Sequence, residues 1–467
     1  MDDTNEVVGI PNIFTSTWRA VRNPLALLRI MIGWGVFSVG VSFLTAWESF
    51  YFAQYIEASS GFVRGSSLAL LTDAYGIVIG IGGLAYMVAA ILSGTLSDSI
   101  RTPLGQRIPF IIITTISCSL ALFGAPIILE RFEFGLLGFC LVVGLVHFFL
   151  GIGASPWNAL LADLFNKQNR SWAALVNSTF SAAGVLFGLA IFEFIVKVPM
   201  PGDLSITTTM LSNVWYACAI VMIIAGSLSS LILTLSGAGV NSNTKLYGFW
   251  TNFKLLFSSL RRFGGDQFDE MFWIVVVWSF CNYVFDYFFF IYLDAQEFVS
   301  KFSKDTLIIF LIGLVIAAIL SAVPSGWMAA KFGKVRIGIV SAVLNAIFFV
   351  TIGLLYVFYE SVPFILLMGI FGGFGMTFLT TIIVSLPADL VEEGHEGLYF
   401  GLVRLAEGLA LPFAVIIAGF FVYYVNQRYP GTGVGYSLIF VVAAGVWLVS
   451  ILLLRRIGRE EEIRNQE

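Results

Sequence analysis

Seven ionisable residues interrupt the long apolar segments of this chain, and each could move a proton or bind a polar solute. They are Glu48, Asp73, His147, Glu193, Asp286, Arg404 and Glu407. A charge inside an apolar segment is costly and by default marks a functional site. His147 titrates near neutral pH and can carry a proton; the alternative is a neutral ring bonded to a backbone carbonyl. We expect Asp73 and Glu193 to lie near the outer surface, in water.

Asp286 has the neighbourhood best suited to a sugar. Trp278, Asn282 and Asp286 recur at every fourth position and share one helical face, with Tyr283 and Tyr287 beside them. Aromatic rings cover the C–H faces of sugars, while carboxylates and amides bind the hydroxyls. The alternative interpretation is an aromatic packing face.

Three other segments carry candidates for substrate binding or proton coupling. Glu48 ends a polar face of the first segment; it either binds hydroxyls, takes up a proton, or faces water at the rim. Asn158 follows the histidine on nearly the same face, and Asn177 lies on the next segment. Arg404 and Glu407 are three residues apart, which predicts either an intrahelical ion pair or a substrate or gating site.

Composition identifies the elements that hold these residues. Of 467 residues, 58% are hydrophobic and only 12% are charged, with a mean hydropathy of +0.91. Soluble proteins carry about 25% charged residues. A soluble enzyme and a disordered chain are therefore excluded, and a net charge of −4 leaves no basic surface for nucleic acid. Unbroken apolar runs of about 20 residues predict an all-α membrane protein rather than a β-barrel.

The apolar runs number twelve. They cover approximately residues 31–56, 67–97, 110–129, 135–163, 172–196, 210–235, 270–297, 305–330, 337–358, 363–390, 398–425 and 434–454. The longest polar break, 236–269, divides the chain into an N-terminal six-helix bundle at 31–235 and a C-terminal one at 270–455. We expect the N-terminal segment 1–30, this linker and the tail 456–467 to be cytosolic.

The distribution of basic residues supports this orientation. With the N-terminus inside, 18 of the 25 Lys and Arg fall in cytosolic segments and six in outer loops, which leaves Arg404 within a span. An excess of basic residues marks the cytoplasmic side. Residues 1–30 show no cleavable signal, so we predict a multi-pass protein of the cell membrane with both termini cytosolic.

The two halves repeat each other. Residues 94–98 and 326–330, both at the end of an apolar run, start with glycine, lie 232 residues apart, and are followed by a second glycine and basic residues. The Ala-Asp-Leu at 162–164 recurs at 388–390, 226 residues on. Two six-span repeats are typical of transporters that bind substrate between their halves.

These motifs resemble those of the major facilitator superfamily. The pattern Gly-x-x-Ser-Asp at 94–98, continued by Gly-x-Arg-x-Pro at 105–109, is similar to its loop between helices two and three. The longer form of this loop, together with 156–164 and 396–401, resembles the sucrose–proton symporters and the wider glycoside–pentoside–hexuronide:cation symporters. The resemblance implies two pseudo-symmetric six-helix bundles, alternating access and symport of a sugar or glycoside.

Two departures from that branch bear on the coupling ion. Melibiose-type members place an acidic pair in mid-helix two, whereas residues 76–83 here contain no acid. Sucrose symporters carry an acidic residue in helix four, where this chain has His147. We therefore predict coupling to H⁺ rather than to sodium, and no cofactor.

Charged loop residues predict a gating latch. Asp98 can accept hydrogen bonds from a neighbouring helix N-terminus and pair with Arg107 or Arg170. Asp163 with Arg170 suggests a second pair. The alternative is a set of loop charges that only fix topology.

Two glycines and one missing acid refine this latch. Gly94 permits close helix approach and Gly105 permits a tight turn. In the second half Ala330 replaces the acid of position 98, so we predict an asymmetric latch dominated by the first half.

These observations together favour a monomeric transporter, not an enzyme, that couples sugar or glycoside uptake to protons. Its partners are a small-molecule substrate and the lipid bilayer, without nucleic acid, metal or cofactor. A facilitator or exporter of another small organic solute is the alternative. A membrane-embedded enzyme would need a cluster of catalytic residues, and a non-transporting sensor would need a signalling domain.

Overall fold

The computed structural model describes most of the chain between residues 24 and 464. The described ranges are 24–50, 68–132, 135–196, 208–237, 248–252, 254, 267–294, 304–358, 361–391, 394–429 and 434–464. Most of the predicted N-terminal segment and linker, and the end of the predicted tail, lie outside these ranges. The predicted division into bundles and flanking segments therefore stays a prediction.

Within these ranges the chain forms twelve helices of at least 20 residues. They are α1 Pro24–Phe50, α2 Leu68–Ser97, α3 Ile108–Phe132, α4 Gly135–Leu164, α5 Lys167–Val196, α6 Thr208–Leu235, α7 Gln267–Asp294, α8 Lys304–Phe332, α9 Lys334–Gly353, α10 Val362–Leu390, α11 Glu396–Arg428 and α12 Val434–Arg464. A single turn, Leu355–Phe358, follows α9. The predicted all-α fold is confirmed, with each helix on one predicted run.

Two helix ends differ from the predicted ends of the apolar runs. The first helix begins at Pro24 rather than 31, since proline suits a first helical turn. The last helix continues past 454 to Arg464. Its final turns carry charged side chains, so a search for apolar runs does not include them. Ten of the helices are long and apolar enough to cross a membrane.

Contacts between helices repeat with a period of six. In the first half α2 packs on α4, α1 on α5 and α6, and α3 on α4 and α6. In the second half α8 packs on α10, α7 on α11 and α12, and α9 on α10 and α12. Between the halves α2 packs on α11, and α5 packs correspondingly on α8. The sequence repeat is thus a repeat of packing.

The repeated loops turn at the same glycine. Gly105, before α3, has φ of 92°, and Gly333, before α9, has φ of 89°. This left-handed backbone is unfavourable for residues with a Cβ atom. The tight turn predicted at Gly105 is confirmed, and its counterpart in the second half adopts the same conformation.

Glycines also let the two halves approach closely along α2 and α11. A Cβ atom on Gly94 would lie 2.2 Å from the carbonyl oxygen of Gly397, and one on Gly83 would lie 2.2 Å from Leu411 Cδ2. The close approach predicted at Gly94 is confirmed, and it extends along the helices over about 16 Å at a rise of 1.5 Å per residue.

Candidate transport site and latch

A glutamate and a histidine from different helices meet inside the first half. Glu48 lies near the end of α1, and its Oε2 is 3.4 Å from Nε2 of His147 on α4. The other ring nitrogen, Nδ1, is 3.0 Å from the carbonyl oxygen of Val143, one turn earlier on α4. Both side chains are largely buried, 18% and 13% exposed.

This arrangement fixes where protons must be. A carbonyl oxygen only accepts, so Nδ1 of His147 carries a hydrogen and donates it to Val143. In a neutral ring Nε2 then has a lone pair that faces the carboxylate. Two lone pairs repel, so the Glu48–His147 contact requires one further proton, held on the ring or on the carboxyl. The carbonyl bond that the alternative interpretation of His147 predicted is present, and the role in carrying a proton stays a prediction.

Helix α2 packs tightly over this pair. A Cβ atom on Gly82 would lie 3.0 Å from Nδ1 and 3.2 Å from Cγ of His147. A real side chain at position 82 would therefore displace the imidazole. Gly82 makes room for the histidine, a role that sequence reasoning missed.

A second charged pair lies in the other half. Arg404 and Glu407 of α11 form the predicted intrahelical ion pair. Both side chains are mostly buried, and Nε of Arg404 has no hydrogen-bond partner among the described residues. The phenols of Tyr86 on α2 and Tyr283 on α7 lie within electrostatic range of both charges. The pair thus belongs to a polar cluster formed by three helices.

Helix α7 supplies further polar groups to this region, but not every predicted one. Asp286 is half-buried and interacts electrostatically with Tyr283. Asn282 is half-buried, and its Oδ1 has no hydrogen-bond partner in the described part of the chain. Trp278 was predicted on the same face, and this is wrong. It is fully buried and donates its Nε1 hydrogen to Ser450 Oγ of α12 at 3.0 Å.

The physical reason for this error is helical drift. Positions i and i+8 differ by about 80° around a helix of 3.6 residues per turn. Trp278 therefore faces the interface with α12, where its ring lies 6.1 Å from that of Trp447. It stabilises the second half rather than lining a substrate site.

The two predicted asparagines are buried in the first half. Asn158 donates from Nδ2 to the carbonyl of Ala154 at 2.9 Å, and the backbone carbonyl of Asn177 accepts from Ser38 at 3.2 Å. The Oδ1 atoms of both have no described partner. Their described bonds are to α4 and α1, not to the charged pairs.

The loop charges form a network around Arg107, which we call the latch. The Arg107 guanidinium lies 2.5 Å from Asp98 Oδ1, 2.9 Å from Asp163 Oδ2 and 3.4 Å from Glu396 Oε2 of α11. Burial lowers the pKa of Arg107, but these three carboxylates outweigh it and raise that pKa well above its usual range. Arg107 therefore stays charged and joins the halves.

Asp98 caps the N-terminus of α11 across the same boundary. Its Oδ1 accepts from the backbone N–H of Gly397 at 2.9 Å, and its Oδ2 from that of Leu398 at 2.8 Å. The first amides of a helix have no partner within the helix and carry a partial positive charge. Burial raises the pKa of Asp98, opposed by Arg107 and by these two N–H groups. The predicted bond to a neighbouring helix N-terminus is confirmed.

A second arm of the latch corrects one prediction. Arg170 does not pair with Asp163; its Nη1 donates to the carbonyl of Ala388 at 2.5 Å and to Asp389 Oδ1 at 3.1 Å in the other half. Lys334 also binds Asp389. Asp389 lies in the last turn of α10 and repeats Asp163, whereas Ala330 stands at the repeat of Asp98. The second arm therefore has a counterpart of Asp163 but none of the residue that caps α11, which fits the predicted asymmetry.

Several residues of these clusters, missing from the sequence predictions, have a sequence signal. Asp389 and Lys334 lie in the repeated motifs, and Glu396 opens the motif that resembles helix eleven. Tyr86 has none, because it is one aromatic residue in an apolar run.

Comparisons with known proteins agree with this architecture. The family model described as Major Facilitator Superfamily matches residues 300–467. No curated protein sequence is significantly similar to the chain. A proton:xylose symporter bound to 6-bromo-6-deoxy-D-glucose superimposes with a TM-score of 0.66 at 14% identity, over 95% of this chain and 95% of that one. The chain has the major facilitator fold.

Other structures with this fold carry different solutes. A human organic anion transporter has a TM-score of 0.63 at 16% identity, over 92% of this chain and 98% of its own. A bacterial homologue of the iron transporter ferroportin, in an outward-facing state, has a TM-score of 0.62 at 12% identity, over 92% of this chain and 98% of its own.

Proposed function

We propose that this protein is a secondary transporter that couples a proton to the uptake of a sugar or glycoside by alternating access. The observation that carries the proposal is the Glu48–His147 contact, which requires a proton beyond the one on Nδ1. A mobile proton site inside an apolar bundle is the element that proton coupling needs. When α1 and α4 separate and water enters, the pair can release that proton.

Alternating access is supported by the latch. Two sets of its bonds cross from one half to the other: one joins the end of α2 to α11, and the other joins the start of α5 to the end of α10. About 12 Å further into the bundle, Thr380 of α10 donates to Ser178 of α5 at 3.0 Å. These bonds hold one end of the bundle closed. We propose that this end is cytosolic, in the cell membrane, and that the protein works as a monomer.

A neutral polyhydroxylated substrate fits the polar groups of the second half. Arg404 is already neutralised by Glu407, and Asp286 adds a further acid without a described basic partner. An anion would meet excess negative charge there. Sugar hydroxyls instead donate to carboxylates and accept from Arg404 Nε, and the rings of Tyr86 and Tyr283 can cover C–H surfaces.

The same excess of acid favours a second candidate, a facilitator or exporter of a small organic cation. An ammonium group could pair with Asp286, which a sugar can only hydrogen-bond. Proton exchange in the opposite direction would then drive export. The two candidates differ in the direction of the proton relative to the solute.

The test is transport in proteoliposomes with defined gradients. Radiolabelled mono- and disaccharides are offered under an inward proton gradient, an inward sodium gradient or none. We expect one sugar class to accumulate only under the proton gradient. Accumulation under the sodium gradient alone would refute coupling to the proton. Absence of sugar uptake together with proton-driven efflux of an organic cation would favour the exporter.

Two substitutions connect that result to the proposed proton site. Glu48→Gln and His147→Gln keep polar side chains but cannot share the proton in the same way. We expect accumulation to fall at least tenfold, while exchange of labelled for unlabelled sugar at equal pH persists. Trp278→Phe is the control, since it removes a buried indole bond in the other half.

A further inference from the structure

Tyr86 lies one helical turn beyond Gly82 on α2, between the two charged pairs. It is half-buried, and residues i and i+4 share one helical face. On one side α2 contacts the helix of His147; on the other it packs on the helix of Arg404 and Glu407. The same turn of α2 therefore contacts both halves.

The contact with α4 is an interlock of two glycines. Gly82 of α2 receives the imidazole of His147. One turn along α4, Gly151 receives α2 in return, because a Cβ atom there would lie 2.4 Å from the carbonyl oxygen of Tyr86 and 2.9 Å from Ala89 Cβ. This close packing at two glycines couples the position of Tyr86 to that of His147.

The contact with α11 crosses the boundary between the halves. Gly408 packs on Met87, where a Cβ atom would lie 2.7 Å from Met87 Cβ, and Gly83 packs on Leu411. This register places Tyr86 level with the turn that carries Arg404 and Glu407. The phenol interacts electrostatically with both charges. When the halves separate along α2 and α11, this contact must change.

We propose that Tyr86 links the two charged pairs across the interface between the halves, so that proton binding by Glu48 and His147 depends on whether the interface is closed. The phenol lies within electrostatic range of Arg404 and Glu407, and the backbone carbonyl of the same residue packs against Gly151 of α4. A change at α11 is thereby passed to Gly82 and the imidazole. Tyr86 is a positioning residue and does not itself carry the proton.

Other ionisable groups also surround the two pairs. Cys118 of α3 and Cys218 of α6 interact electrostatically with Glu48, while Tyr283 of α7 interacts with the second pair and with Asp286. Tyr283 interacts with Tyr86 as well as with Arg404 and Glu407, but Tyr86 alone among these groups lies on α2, the helix that packs on His147. The proposed link is therefore testable by substitution of Tyr86.

The proposal takes the Glu48–His147 site from the proposed function, but its test needs no substrate and no transport. The chain has only two histidines, His147 and His395. Full-length protein with ¹⁵N-labelled histidine in lipid nanodiscs therefore gives two titrations by NMR, and His395→Asn assigns them. The measured quantity is the titration midpoint of His147.

Glu407→Gln perturbs the second pair from a distance. In the native background we expect it to change the proton affinity of His147 at least threefold, a midpoint shift of about 0.5 pH unit. In the Tyr86→Phe background the same substitution should change that affinity less than 1.5-fold. Tyr216→Phe, which alters a phenol of α6 beside Phe123, should preserve the threefold effect.

Equal shifts with and without the phenol would overturn the proposal, because the effect would then be a direct field of Glu407. The absence of any shift in the native background would overturn it as well. If Tyr86→Phe does not fold, Gly408→Leu, which forces α11 away from Met87, tests the same link and should also change the His147 midpoint at least threefold. A protein that fails to accumulate sugar but passes this test would refute only the proposed function.

Discussion

Replacing Asp98 by asparagine should open the latch. The carboxylate accepts two backbone hydrogen bonds from the first turn of α11 and pairs with Arg107, and the side chain is fully buried. Asparagine has nearly the same shape but only one acceptor oxygen, and no charge. It can keep one of the two backbone bonds at most.

The size of the effect follows from the bonds that asparagine cannot make. A hydrogen bond to a charged group contributes about 1.5–3 kcal/mol, and the substitution removes one such bond and weakens the ion pair. We therefore expect the closed latch to be destabilised by about 3 kcal/mol, which corresponds to about a 150-fold shift toward the open state at 1.36 kcal/mol per factor of ten.

Hydrogen–deuterium exchange of the first turn of α11 measures this destabilisation directly. The amides of Gly397 and Leu398 lack acceptors within their helix, so their protection depends on Asp98. We expect Asp98→Asn to lower their protection about 100-fold. Asp163→Asn is the matched control, since it removes an Arg107 contact but no amide contact, and should lower protection less than tenfold. Unchanged exchange in Asp98→Asn, or an equal decrease in the control, would refute the reasoning.

Three further predictions concern packing contacts. Gly82→Ala should displace the imidazole of His147 and reduce proton-driven accumulation at least tenfold. Gly80→Ala is the control and should not reduce it, because a Cβ atom there has no atom within 4 Å. Equal activity of the two variants would contradict this prediction. Gly397→Ala would place a Cβ atom 2.4 Å from the Gly94 oxygen, so accessibility of cysteines introduced beside the latch should rise, while Gly445→Ala leaves it unchanged. Trp34 and Trp157 each donate an indole hydrogen to the other's backbone carbonyl, at 2.7 and 3.0 Å. Trp34→Phe should therefore cost about 1–3 kcal/mol of unfolding free energy in chemical denaturation, and the double variant should cost less than the sum of the single ones; strict additivity would argue against a joined pair.

Hydropathy predicted the helices well because a bilayer demands about 20 apolar residues for each crossing. The turns at Gly105 and Gly333 could also be predicted from the sequence, because glycine alone adopts their left-handed backbone with little strain. Local sequence rules thus account for the number of helices and for the turns between them.

Partners across the bundle were less predictable because they depend on tertiary packing. Asp163 and Arg170 are close in sequence, yet they bind different partners, Arg107 and Asp389. Trp278 follows the spacing of a polar face, yet it turns toward α12. Glu48 and His147 were each recognised as candidates from their apolar surroundings. Their contact could not be predicted, since it depends on the way α1 and α4 pack.

Proton movement with the substrate tests the central claim most directly. Proteoliposomes with a pH-sensitive dye in the lumen are given an inward gradient of the transported sugar and no initial pH gradient. We predict that sugar entry acidifies the lumen in the native protein and does not in Glu48→Gln. Sugar entry by the native protein at constant lumen pH would contradict coupling through the Glu48–His147 pair.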